Sequence, residues 1–379
     1  MQTFDVAIVG TGRIAAFHAQ ALAALAGRAR LVAAVDVDEE RLAAFGARFD
    51  VPRLHRDLAD LFAAGPPDVV DLCTPPALHA EQALACLDYG ITVVCEKPPA
   101  LSLAELDRIA ARTEASGPHF ATVFQHRFGS GGLALADLRR EGAFGAPTTA
   151  VCHTLWYRPD EYFAVPWRGR WDTEGGGPTL GHGIHQMDLM LAVLGPWREV
   201  VALAARQTKP TATEDLSCAI VTFDCGAVAT VVNSLVSPRQ TSYLRFDFTE
   251  ATVELTHLYG YGDGDWTVTG VPGQEERVRT LWTSRLTGVS SGHTAQLARV
   301  FDALEAGEPP PVTPADARLT MELVTAIYAS AFTGRPVRRG EIVPGSPFYE
   351  RMEGTGAPWP TTVPAPKPTV VPTPRMAST

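Results

Sequence analysis

The sequence predicts two domains of different class. The first is α/β with a parallel sheet. The second is α+β, an open-faced, mostly antiparallel β-sheet with helices on one side. Three observations carry this reading. Over the first 125 residues, short and continuously apolar runs alternate with helical patterns, as expected for a parallel sheet buried on both faces. A glycine turn, Gly10-Thr11-Gly12, joins the first apolar run to the first helix. From Thr148 onward strand-like alternation takes over, with turn signals such as Asp224-Cys225-Gly226 between runs. Boundaries are set at 1–125 and 126–345, and the Pro-, Thr- and Val-rich stretch 357–379 reads as a disordered extension.

In order, Val6–Val9 reads as a strand, Ile14–Leu25 as a helix, Leu31–Val35 as a strand and Glu39–Phe49 as a helix. A short helix at Leu58–Ala64 precedes a strand at Val69–Cys73, a helix at His79–Tyr89 and a strand at Thr92–Cys95. Leu103–Glu114 is a helix and Phe120–Phe124 a strand. The second domain offers strands at Val151–Trp156, Val200–Gln207, Leu216–Phe223, Val228–Leu235 and Tyr243–Phe248. Its helices are His182–Leu194, Thr294–Ala306 and Pro314–Phe332.

A chain of 379 residues exceeds one ordinary core, and 46% apolar with 20% charged residues is an ordinary globular composition. A formal net charge of -10 argues against a nucleic-acid partner, which needs a basic surface, but leaves acidic small molecules open. No apolar run reaches the roughly 18 residues that span a bilayer, and the N-terminus shows no signal peptide. Six cysteines without CxxC pairing read as reduced, buried thiols of a cytoplasmic protein.

Gly10-Thr11-Gly12-Arg13-Ile14-Ala15 fits the GxGxx(G/A) fingerprint of a Rossmann dinucleotide-binding domain. The glycines allow a tight turn and close approach to a pyrophosphate on the helix N-terminus. Asp36 ends the second strand. A carboxylate there accepts bonds from the ribose hydroxyls and repels a 2′-phosphate, so the expected cofactor is NAD rather than NADP. The plain alternatives are a tight turn and a solvated carboxylate. Two more segments, Thr74-Pro75 with His79, and Glu96-Lys97-Pro98, close later strands, where ligands bind in open α/β sheets. A lysine in partly dry surroundings has a lowered pKa and can take or return a hydroxyl proton. Lys97 is either that group or a surface lysine at a strand end.

These pieces, with Gln125-His126-Arg127-Phe128, Gly175-Gly176-Gly177, Gly183, His185, Asp188 and Gly334-Arg335-Pro336-Val337, resemble the Gfo/Idh/MocA oxidoreductases over roughly residues 3 to 340. The resemblance implies a Rossmann domain, an open-faced sheet domain that mediates oligomerisation, and a cis Lys97–Pro98 bond. It also implies Lys97 and His185 as catalytic residues and places Glu96 and Arg127 beside the cofactor. Where the family pattern GGGxLxDxGxHxxD has its first Asp, this chain has Gly181, and His182 stands next to the gap.

On spacing alone, His182, His185 and Asp188 share one helical face, as metal ligands or as hydrogen-bonded residues of a capped helix. Hydride chemistry needs no metal, and none is assigned. Trp156-Tyr157-Arg158 and Trp167-Arg168-Gly169-Arg170-Trp171 offer flat faces and donors for a sugar-like substrate, or else they pack the loop. The expected protein is an NAD-dependent dehydrogenase of a sugar-like substrate, a homodimer or homotetramer. Two other readings stay open: a non-catalytic NAD-binding regulator, and an NAD-assisted glycosidase.

Overall fold

The computed structural model describes residues 3–360. Its N-terminal part comprises β1 (Phe4–Val9), α1 (Arg13–Ala24), β2 (Ala29–Val35), α2 (Glu39–Phe49), β3 (Arg53–His55), α3 (Leu58–Ala63), β4 (Val69–Leu72), α4 (His79–Asp88), β5 (Thr92–Cys95), α5 (Leu103–Ser116) and β6 (Phe120–Thr122). The six strands form one parallel sheet in the order β3-β2-β1-β4-β5-β6. Strand order reverses between β1 and β4, which opens a crevice at their carboxyl ends. Every residue of β4 and β5 is buried, which is why Val69, Val70, Leu72, Val93 and Val94 are apolar on both faces, with Asp71 a buried polar exception.

The chain continues with α6 (Ser130–Arg140), β7 (Pro147–Tyr157), α7 (Pro178–Gly181), α8 (Ile184–Leu194), β8 (Trp197–Ala205), β9 (Leu216–Phe223), β10 (Val228–Ser234), β11 (Val236–Phe248), β12 (Ala251–His257) and β13 (Trp266–Gly270). Then come α9 (Glu275–Thr283), α10 (His293–Ala306), α11 (Pro314–Thr333), β14 (Val337–Arg338) and α12 (Pro347–Glu350). The second sheet runs β13-β12-β11-β7-β10-β9-β8-β14. All its pairings are antiparallel except β7 with β10. Val200, Ala202, Val221 and Phe223 are buried on one face, while Val201, Leu203, Ile220 and Val228 are exposed on the other. The alternation is the period of two that a half-covered sheet requires.

Several elements escaped the sequence reading. α6 begins Ser130-Gly131-Gly132, and glycines read as breakers; here a Cβ at Gly131 would collide with the Trp266 indole. α9 buries only Val278 and Trp282, too thin an apolar stripe to register as a helix. α10, assigned by sequence to the second domain, returns to the first: Leu297, Val300 and Phe301 share a core with Ile8, Ala19 and Leu22. Cys218 is exposed, contrary to the expectation of buried thiols, although all six cysteines are free. Of the Pro-rich stretch expected to be disordered, Trp359 is seated, donating to Ala212 O at 2.9 Å; residues 361–379 lie outside the described residues. Among the described residues, no helix is long and apolar enough to cross a membrane.

Beneath the crevice lies a buried polar cluster. His18 of α1 donates from Nδ1 to Asp71 Oδ2 (2.7 Å) and from Nε2 to Glu96 Oε1 (3.0 Å). His293 Nε2, at the start of α10, donates to the same Glu96 oxygen at 3.1 Å, and Lys97 N donates to Glu96 Oε2 at 3.0 Å. Burial alone would lower the His18 pKa, but the Asp71 carboxylate outweighs it and holds the imidazolium well above 6.5. Burial alone would raise Glu96, but bonds from His18 and His293 hold it well below 4.5. Its share of stability is thus present above pH 4.5 and lost as pH falls through the depressed value. The His18 share is full below pH 6.5 and lost as pH rises through the raised value.

Replacing His18 with Gln should therefore lower the unfolding free energy at pH 7 by about 3–5 kcal/mol, the cost of stripping one partner from a buried pair. In urea titrations the loss should be larger at pH 6 than at pH 9, because the imidazolium's share is full below pH 6.5 and fades as pH rises through the raised value. A loss that is the same at both pH values would remove the imidazolium charge from this account.

Candidate active site

The crevice is built from the carboxyl ends of β1, β2, β4 and β5. Gly10 has φ of 86°, and a Cβ there would lie 2.9 Å from Cys73 C and Thr74 N, so glycine is required for the loops after β1 and β4 to meet. Gly12 caps α1 with no side-chain bond, and a Cβ there meets nothing within 4 Å. Uncapped N–H groups at a helix start, facing open space, suit a pyrophosphate. Arg13 and Ile14 form the first turn of α1. Thr74 Oγ1 donates to Gln82 Oε1 at 2.6 Å, and Pro75 leads into the turn before α4. His79 spans the two loops, with Nδ1 2.7 Å from Pro98 O and Nε2 2.8 Å from Thr74 O.

Asp36 is buried, and its two oxygens accept from Thr11 N (2.8 Å), Thr11 Oγ1 (2.9 Å), Asp38 N (3.0 Å), and Arg41 Nε (3.0 Å) and Nη2 (2.6 Å). Burial would raise this carboxyl; the bonds from Arg41, Asp38 and Thr11 bring it down to about 2. The sequence reading foresaw a free carboxylate and missed Arg41. Its signal was a cation in the first turn of α2, where Asp38 caps. Arg41 is half exposed and is the donor that can leave. It also lines, with Arg13 and Arg48, a groove of about 460 Å³ between α1 and α2.

At the end of β5, the Lys97–Pro98 bond is cis. Glu96, expected beside the cofactor, points instead into the cluster below. Lys97 turns the other way, and its Nζ donates to Gly181 O at 2.7 Å. Burial holds the ammonium below its usual range. Facing it are α7 and α8, positioned by the triple glycine. A Cβ at Gly177 or Gly176 would collide with Glu214 O or Tyr328 OH. Buried Glu214, its pKa pushed up to about 7 by desolvation, accepts from Gly177 N (3.0 Å), Thr179 N (3.1 Å) and Tyr328 OH (2.8 Å).

His185 is buried against His126, ring centroids 4.8 Å apart, and neither of its ring nitrogens has a partner. His182 lies with Nε2 3.3 Å from Tyr162 OH, edge-on to Trp156 at 5.1 Å, its Nδ1 without a partner. Burial first, and nearby cations second, hold both histidines well below 6.5, hence neutral. Asp188 does not join them: it takes both arms of Arg127 at 2.6 Å and Thr320 Oγ1 at 2.9 Å. The helical face that suggested metal ligands is thus split, and Arg127, expected at the cofactor, is committed to Asp188.

Of the aromatic residues, Trp156 walls the cleft, its Nε1 donating to Ser242 Oγ at 3.0 Å and Arg158 lying 4.7 Å over its ring. Arg168 stacks on Trp167 at 4.2 Å, and its guanidinium bonds Tyr162 OH. Trp171 belongs to the core, donating to Ala212 O at 2.9 Å and packing on Tyr328. Tyr157 is exposed under Lys209. The sequence reading missed Glu174, whose signal was a carboxylate directly before the triple glycine.

Residues 4–123 match the family model described as oxidoreductase family, NAD-binding Rossmann fold, and residues 133–254 match the GFO/IDH/MocA C-terminal domain. The chain is 28% identical to a D-apiose dehydrogenase of Paraburkholderia graminis, over 89% of this chain and 90% of that one. It is 25% identical to a myo-inositol 2-dehydrogenase of Thermotoga maritima, over 89% and 99%. Its fold is similar to the crystal structure of the WlbA dehydrogenase from Bordetella pertussis in complex with NADH and UDP-GlcNAcA, with a TM-score of 0.77 at 25% identity, covering 89% of this chain and 99% of that one.

Because Arg41 already neutralises Asp36, Asp36→Ser alone should release a cation for a 2′-phosphate. Titration of NAD and NADP should show the affinity ratio moving toward NADP on the order of tenfold to a hundredfold. Arg41→Ala should move the ratio the opposite way. An unchanged ratio in both variants would take Asp36 out of cofactor selection.

Proposed function

Because the chain belongs to the Gfo/Idh/MocA oxidoreductase family, we propose that it oxidises or reduces a secondary alcohol or ketone carbon of a sugar, sugar derivative or cyclitol, with Lys97 as acid/base. The names of the apiose and inositol dehydrogenases support the substrate class. NAD, when bound, supplies the hydride acceptor or donor. The observation that carries the rest is Lys97 placed across the cleft from a buried histidine with two unpartnered nitrogens. Orphaned polar atoms at the centre of a cleft call for a ligand that satisfies them.

Lys97, kept below its usual range by burial, takes a hydroxyl proton as a neutral amine and returns it as an ammonium. His185 is neutral and so presents one donor and one acceptor, which fixes both the direction and the position of a hydroxyl. Trp156 and Trp167 supply flat faces to a ring. Arg158, with no carboxylate partner among the described residues, supplies donors to a hydroxyl or acidic group. A cytoplasmic setting fits six free cysteines.

The reading is tested by following NADH formation across monosaccharides, inositols and their acids. On the substrate so found, Lys97→Met should lower turnover by roughly 10²–10⁴-fold while NAD affinity survives. His185→Ala should lower turnover and raise KM, and His182→Ala should cost less than either. Near-normal activity in Lys97→Met would end the acid/base assignment.

The uncovered face of the second sheet belongs to the same proposal. Val201 and Ile220 are direct cross-strand partners, and with Leu203 and Val228 they form an exposed apolar band, which a second copy of the chain would cover. Sedimentation velocity at micromolar concentration should show a dimer or tetramer, and Leu203→Glu with Ile220→Glu should yield monomers. A wild-type monomer would reject the interface.

A further inference from the structure

Lys97 carries its proton beside two carboxylates, and only one is free to respond. Glu96 is committed below the strand to His18, His293 and its neighbour's amide. The other is Glu174, buried in the loop between β7 and α7. Its Oε2 is fixed by Gly169 N at 2.6 Å, while among the described residues Oε1 accepts from Arg168 Nη1 alone, at 3.3 Å. Gly181, whose carbonyl holds the Lys97 ammonium, lies directly beside that oxygen. A Cβ built on Gly181 would meet a single atom within 4 Å, Glu174 Oε1 at 3.7 Å. A side chain at 181 would therefore point toward this carboxylate and touch it at ordinary van der Waals distance.

We propose that Glu174 is the positioning residue for Lys97: its carboxylate, reaching across from the loop, fills the place left by Gly181 and balances the charge Lys97 acquires on taking the substrate proton. This rests on the acid/base reading of Lys97. In that step the hydroxyl O–H bond breaks and an Nζ–H bond forms. The amine becomes an ammonium between Gly181 O and the Glu174 carboxylate. Other charged and titratable groups face Lys97 from every side: Glu96 on β5, His79 on α4, His126 after β6, Arg158 at the end of β7, Arg168 in the loop, and His182 and His185 at α8. Burial lowers the Lys97 pKa most; Glu96 and Glu174 raise it, and Arg168 and Arg158 lower it. Removing Glu174 should hence make the amine lose its proton at lower pH.

The chain holds three lysines, so one amine can be followed by itself. The apoenzyme is labelled with trace acetic anhydride across pH, against added Nα-acetyl-lysine, and the Lys97 peptide is quantified by mass spectrometry. On the rising limb, Glu174→Gln should label Lys97 about threefold to tenfold faster than the wild type. Gly181→Asp has room for its Cβ, and in the Glu174→Gln background it should return the labelling profile to the wild-type pH. An unchanged profile in Glu174→Gln, or a double variant that stays displaced, would overturn the proposal. If Glu174→Gln alone does not fold, the double variant decides: a wild-type profile supports the proposal and a displaced one rejects it. Activity of Lys97→Met on a confirmed substrate separates the two levels. A fully active Lys97→Met sinks the acid/base reading even where Glu174 controls the amine.

Discussion

Glu96 and Lys97 are neighbours at the end of β5 that face opposite ways, and the arrangement of the crevice follows from that divergence. Successive side chains of an extended segment alternate sides. With the amine in the cleft, the carboxylate must go under the sheet, where an unpaired charge costs several kcal/mol. It is stabilised there by His18 from α1, His293 from α10 and the amide of Lys97 itself. The helix that contributes His18 is the one whose uncapped start faces the pyrophosphate position, and Asp71, at the other nitrogen of His18, belongs to β4. One buried cluster therefore ties together the cofactor helix, two adjacent strand ends, the lysine and the returning C-terminal helix.

What the sequence made legible was local. Continuous apolar runs marked the buried parallel strands, and α2, β5 and β9 were bounded to the residue because capping, length and turn chemistry agreed there. The glycine fingerprint and Lys97 could be found because each is a short motif in a definite strand-turn context. The misses have a common origin in distance. His293 is 197 residues from Glu96, and Arg127 is 61 from Asp188. Spacing on one helix could group Asp188 with His182 and His185, but it could not show a guanidinium arriving from another segment. Trp171 failed for the same reason: as an aromatic beside arginines it suited a sugar face, and only its burial against Tyr328 from α11 shows that it packs the core.

Net charge was similarly uninformative about the site. The chain carries -10 overall, yet the cleft gathers Lys97, Arg158 and Arg168 around histidines that burial keeps neutral. Desolvation decides the histidines: His126 stacks on His185, and the charges of Lys97, Arg158 and Arg168 act on His182, so the neutral form is the one the site can hold. The result is a set of donors and acceptors without net imidazole charge, beside one titrating amine. In the proposed function this set orients hydroxyls over a range of pH and leaves proton transfer to Lys97.

Under the proposal that Lys97 is the acid/base, Gly181 illustrates how a motif loses a residue and keeps its chemistry. A buried amine that changes charge in each turnover needs a compensating anion within a few ångströms, and the position in space matters more than the position in the chain. Glycine at 181 withdraws a side chain and exposes a backbone carbonyl, which takes one ammonium hydrogen. The empty volume admits a carboxylate from seven residues earlier, which Gly169 N holds at 2.6 Å. That amide fixes one oxygen and leaves the other turned toward the gap. Had Asp stood at 181 as well, two buried carboxylates would have shared the volume, and one would have had to be protonated. Under the proposal for Glu174, glycine at 181 and glutamate at 174 act as a pair, the one leaving room that the other's carboxylate faces.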